Sequence, residues 1–190
     1  MAAIISAPLQ KAFPMAHNAQ ADLYPTPYEQ GNQNQTTQWS DCIAFYERLA
    51  TDFPGILHFF QIGTADNGLP LHAGVVSSDG VRDRVQIKAS GRPIFFNNNG
   101  IHPGEPEGID ACMALVRDFC TQPERLVALG QTVFLFIPVY NVDGCLNRQS
   151  TSRVNQLGPE EFGFRANGRN LDLNRDFIKC DSLAAQAFNQ

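Results

Sequence analysis

The stretch Arg92-Pro93-Ile94-Phe95-Phe96-Asn97-Asn98-Asn99-Gly100-Ile101-His102-Pro103-Gly104-Glu105 changes texture at its centre. Its first half, residues 92–98, packs three large apolar side chains in a row and predicts a β-strand. The Asn-Gly that follows is a turn signal. Beyond it Ile109, Cys112, Met113, Val116, Phe119 and Cys120 fall on one face at helical spacing. Pro106 suits the first helical position, where a missing N–H costs nothing. Residues 132–139 then form a nearly unbroken apolar run, as a strand covered on both faces does. Strand, helix, strand is a βαβ unit. It predicts a parallel pair inside an α/β fold, a mixed, partly parallel sheet flanked by helices.

Upstream, residues 56–63 and 71–77 read as two strands joined through Asp66-Asn67-Gly68, a hairpin. Trp39, Ile43, Tyr46, Ala50 and Phe53 recur at helical spacing, and Pro54-Gly55 ends that helix. Residues 1–38, rich in Pro, Asn, Gln and Thr over much of their length, read as an N-terminal arm leading into a domain over residues 39–190. Downstream, residues 141–170 are turn-rich. Arg148, Arg153, Arg165, Arg169 and Arg175 lie in or just beyond them, and a new helix is expected from Asp181. A loop of that length in a compact domain is usually functional or disordered.

Composition narrows the function. At 190 residues and 43% hydrophobic content the chain can bury a core. A net charge of -5 argues against a nucleic-acid partner, which wants a basic face. The longest apolar run, from Val133 to Tyr140, is far short of the ~20 residues that span a bilayer, so no membrane partner is expected. Residues 1–10 have no basic residue before their apolar stretch, and Pro8 interrupts it, so no signal peptide is expected. The five cysteines have no C-x-x-C pair and irregular spacing, which predicts buried free thiols in a reducing, cytoplasmic setting.

Two blocks bear chemistry. In the first, a histidine ends a strand and a carboxylate begins the next helix, so His102 and Glu105 can converge on one point. Zinc accepts both donor types, and the carboxyl edge of a parallel strand is where open α/β sheets place their sites. The pair also reads as a turn histidine beside a glutamate favoured by the helix dipole. In the second block, Arg165 through Phe177, Asn174-Arg175 offers a bidentate carboxylate receptor with a polar companion. A second arginine near the first block could stabilise an oxyanion. The same loop reads equally as a solvated basic segment balanced by Glu160, Glu161, Asp172 and Asp176.

Taken together, Gly100-Ile101-His102-Pro103-Gly104-Glu105, Asn141-Val142-Asp143-Gly144, and Arg165 followed by Asp172-Leu173-Asn174-Arg175 resemble the zinc carboxypeptidases of the pancreatic type, in their bacterial and cytosolic branches. The resemblance runs over residues 56–180. It implies a zinc cofactor held by His102 and Glu105, and a catalytic Arg165 that polarises the scissile carbonyl, with Arg169 a neighbouring candidate. It also implies that Asn174 and Arg175 grip the terminal carboxylate of a peptide or N-acyl amino acid. The implied reaction is hydrolysis of a C-terminal peptide or amide bond. Val142 departs from the family's proline. The family's third ligand, a later histidine, and its general-base glutamate have no counterpart, because His17, His58 and His72 all precede the motif. The resemblance therefore implies an incomplete, N-terminal part of the catalytic domain, with little turnover alone. Two other readings stay open: a deacylase like the aspartoacylase and succinylglutamate desuccinylase group, and a non-catalytic carboxylate-binding remnant.

Overall fold

The computed structural model describes residues 19–32, 34–154 and 156–190. Residues 1–18 and 33, half of the expected arm and including His17, lie outside them. From residue 19 onward the chain packs down. A 3-10 turn, Ala21–Leu23, leads to the short helix α1, Pro27–Gln30, which a Thr26–Glu29 capping box starts. Polar contacts tie this region to the domain. Tyr24 donates to Asp52 at 2.8 Å, Arg117 pairs with Glu29 at 2.5 Å, and Thr36 and Thr37 donate to Asp110.

Helix α2, Trp39–Asp52, buries Cys42, Ile43, Tyr46 and Leu49; of the expected stripe Ile43 and Tyr46 are buried, and Trp39, Ala50 and Phe53 pack partly buried against the core. Strands β1, Leu57–Thr64, and β2, Pro70–Val76, pair antiparallel with a bulge between Gln61 and Gly63. Helix α3, Arg84–Ser90, was not expected. Only Ile87 on it is buried, so it lacks an apolar stripe, and Asp83 and Gly91 cap it instead. Strand β3, Ile94–Asn98, follows, and then α4, Glu107–Thr121, with Pro106 just ahead of its first residue. Helix α5, Pro123–Leu129, turns the chain into β4, Val133–Ile137. Within the turn-rich segment sit α6, Val142–Leu146, and a 3-10 turn, Leu173–Arg175. The expected last helix is α7, Leu183–Phe188, capped by Ser182.

Among the described residues the strands form one sheet in the order β1-β2-β4-β3. β3 and β4 are parallel, from Ile94 opposite Val133 to Asn98 opposite Ile137, and β2 meets β4 antiparallel. The fold is thus the mixed α/β sheet that the βαβ reading predicts. One face of the sheet buries Phe134 and Phe136 against Tyr46 of α2 and Met113 and Val116 of α4. The other buries Ile137 with Leu71 and Ala73 beneath Ala184 of α7. Fully burying side chains of this size contributes roughly 1.5–3 kcal/mol each. β4, the run read as a strand covered on both faces, lies inside the sheet. β2 flanks it on one side and β3 on the other, so that β1 and β3 are the two edges among the described residues.

Candidate active site

The parallel pair sets the site. Its hydrogen bonding runs past the strand ends: Asn99 donates to the Ile137 carbonyl, Tyr140 to Asn99, and Asn141 to Gly100, at 2.8–3.0 Å. Gly100 sits at φ +62°, a left-handed conformation that glycine takes without strain, and there the chain turns toward His102. The two loops that leave the carboxyl edge are thereby zipped side by side. A third segment is laced onto both. Gly163 donates to the Pro103 carbonyl at 3.1 Å and Phe164 to that of Gly144 at 2.7 Å. Asn141, buried to 1% exposure, accepts from the Gly144 N–H at 2.9 Å and donates to the Arg165 carbonyl at 2.9 Å. These bonds deliver Arg165 to His102.

Asp172 is the hub of the cluster. Its Oδ1 lies 2.9 Å from His102 Nε2 and accepts from the Asn174 N–H at 3.0 Å. Its Oδ2 accepts from Arg165 Nε and NH2 at 3.1 and 2.9 Å. Arg165 NH1 lies 3.2 Å from His102 Nδ1. A carboxylate only accepts and a guanidinium only donates, so the network assigns the imidazole proton to Nε2. Partial burial would push the Asp172 carboxyl up. The bonds from His102 and Arg165 outweigh it and hold the group at about 2.

Glu105 stands at the rim, half exposed, with Oε1 3.9 Å from His102 Nδ1. The sequence pair does converge. However, the partner of this carboxylate is Arg153, at 2.5 Å. That hydrogen bond, working against slight burial, keeps the Glu105 carboxyl below the usual carboxylate range. Arg169, the neighbouring candidate, is held elsewhere, on the Asp181 carbonyl at 2.6 Å and Asp66 at 3.5 Å. Arg175 and Asn174 are exposed, and Arg175 donates to the Asn174 carbonyl at 3.0 Å. His58 and His72 lie in strands and stack on Phe60 and Phe59. Arg153, Asp172 and Asn141 carried no assigned role in the sequence reading. Asp172 had a signal, since an Asp two residues before an Asn N–H is a common turn anchor. Arg153 had none.

The expected zinc centre needs correcting. Both ring nitrogens of His102 are engaged, and Arg153 takes Glu105. Among the described residues no group of three or more His, Cys, Asp or Glu could hold a metal ion, whereas a zinc site needs three or four such ligands at about 2 Å. The donor set present does not fit zinc.

The sequence profile of the zinc carboxypeptidases matches residues 42–189. The chain belongs to this family. Proteins of known structure share its fold. Bovine thrombin-activatable fibrinolysis inhibitor, solved with a tick carboxypeptidase inhibitor, superposes with a TM-score of 0.60 at 17% identity, over 82% of this chain and 55% of that one. Carboxypeptidase A from Helicoverpa armigera gives 0.57 at 17% identity, over 84% and 38%. A metallo-carboxypeptidase from Pseudomonas aeruginosa, in complex with (2-guanidinoethylmercapto)succinic acid, gives 0.52 at 18% identity, over 77% and 35%. This zinc carboxypeptidase relative thus spans about half of the first of these structures and just over a third of the other two. No curated protein sequence matches it.

Proposed function

We propose that this chain carries the carboxylate-gripping part of a carboxypeptidase site. In this reading Asn174 and Arg175 take the free C-terminal carboxylate of a peptide, and Arg165 faces the carbonyl of the last peptide bond. The reaction served is hydrolysis of that bond. One observation carries the reading: a single carboxylate, Asp172, binds His102, Arg165 and the Asn174 backbone together. The Asn174-Arg175 pair therefore starts from the same anchor as the buried histidine. The Arg175 guanidinium donates to its neighbour's carbonyl and the residue is exposed, so its fork can be reached by a ligand.

A purely binding role is a second reading, and the lack of a group of three metal-binding side chains among the described residues supports it. Both readings require carboxylate recognition. The test compares a peptide bearing a free C-terminus with its C-terminal amide, and an N-acetyl amino acid shows whether the carboxylate alone suffices. The free acid should bind about tenfold tighter or better, as a charge-assisted pair of roughly 1.5–3 kcal/mol implies. Arg175→Lys should lose most of that margin. Equal binding of acid and amide would sink the proposal. Turnover of the free peptide above about 1 per second would favour the peptidase reading over the binding one.

A further inference from the structure

We infer that Arg153 is an internal cation for Glu105, placed so that this half-exposed carboxylate is closed to divalent ions. Glu105 lies at the rim with solvent access, and a lone carboxylate beside an imidazole would attract cations. In this chain its charge is already met. The Arg153 guanidinium lies against Oε1, and two-thirds of the Arg153 side chain is covered.

The placement is built in by the surrounding chain. The Arg153 stem crosses the backbone of Gly104: a Cβ added there would stand 2.7 Å from Cδ and 3.2 Å from Cγ. Only a residue without a side chain lets the stem take this path to the neighbouring Glu105. The two loops also share a fastening. Ser152 Oγ donates to the Gly163 carbonyl at 3.1 Å, and the Gly163 N–H donates to Pro103 at 3.1 Å. The residue before Arg153 and the loop that bears Glu105 thus hang on the same glycine. On the other side Arg165 lies on His102 Nδ1. A second cation approaching Glu105 would meet one guanidinium at contact and another beyond the imidazole, with like charges opposing it at each. Arg153 is a positioning residue in this account, acting through Glu105.

The inference is independent of carboxylate grip at Arg175, and its test does not read that grip. Cobalt(II) chloride alone is titrated into the full chain, and uptake is followed by calorimetry and visible absorption. Arg153→Met removes the charge while keeping an apolar stem over Gly104. It should gain cobalt affinity by about tenfold or more, the scale of one unit charge removed at close range near a surface. Arg153→Lys keeps the charge and should show no such gain. Arg153→Met combined with Glu105→Gln should return to the wild-type level. Circular dichroism establishes that each variant folds, and Arg153→Gln is the substitute if the methionine variant does not. Wild-type uptake in a folded, charge-free variant overturns the inference. So does a gain in Arg153→Lys equal to that of the neutral variant, or a gain that survives loss of Glu105.

Discussion

At the scale of single residues, the site depends on polar side chains that span loops. Asn141 is the clearest case. Its amide satisfies the Gly144 N–H, which starts α6, and the Arg165 carbonyl, which positions the arginine. The Gly144 bond is buried and the Arg165 bond part-buried, so truncation leaves two backbone groups short of partners. Asn141→Ala should therefore cost about 1–3 kcal/mol, measured as a shift in the urea midpoint at unchanged slope. A loss below about 0.5 kcal/mol, the range of ordinary surface substitutions, would mean that water replaces the amide. His102, Glu105, Arg165 and the Asn174-Arg175 pair could be picked out as motifs because their spacing is local. What each one touches could not. Glu105 finds its partner 48 residues away, in a loop with no periodicity to mark it.

At the scale of elements, the two edges of the sheet differ. β1 carries a bulge and is flanked by α2 and α7. β3 carries Ile94, Phe95 and Phe96 at 52, 59 and 38% exposure, with no charge and no bulge among the described pairings. Phe95 turns toward Phe134 and Phe96 toward Phe188, so both faces of this edge strand are apolar. Such an edge recruits another strand. The isolated chain is expected to self-associate with rising concentration, and Phe95→Lys should shift it toward monomer in light scattering after size exclusion. A wild-type chain that stays monomeric throughout would contradict this. The apolar run 132–139 reads as a strand covered on both faces. Burial on both faces is what an interior position demands, and β4 has that position. Helices α3, α5 and α6 escaped the reading because they are only 5–7 residues long, too short to show a stripe.

At the scale of the molecule, the core holds ionisable groups that couple stability to pH. The five cysteines are free, and four are buried. Burial pushes the Cys112 and Cys145 thiols up to about 11 and Cys120 to about 12, from an ordinary 9.0. A pKa raised on folding means that the native state keeps its proton while the unfolded chain gives it up. Their contribution is thus fully present below pH 9.0 and is lost as pH rises through about 11 to 12. Urea midpoints should fall from about pH 9 upward, by at most about 1.4 kcal/mol per pH unit for each thiol. Cys112→Val should flatten the fall. A midpoint constant to pH 10.5 would show that the thiols ionise in place.

By itself the sequence determined the helix and strand periodicities, the parallel β3–α4–β4 unit and the three motifs that identify the family. Each of these is written in neighbours a few residues apart, where side-chain spacing maps directly onto backbone geometry. Only the tertiary structure decided which strand lies at the edge, that Arg165 rather than Arg169 reaches His102, and that arginines meet the charges of Glu105 and Asp172. Arg165 and Arg153 lie 63 and 48 residues from His102 and Glu105, brought to 3.2 and 2.5 Å by loops zipped at the carboxyl end of a parallel pair. A contact of that kind follows from how the whole chain closes, and no local pattern encodes it.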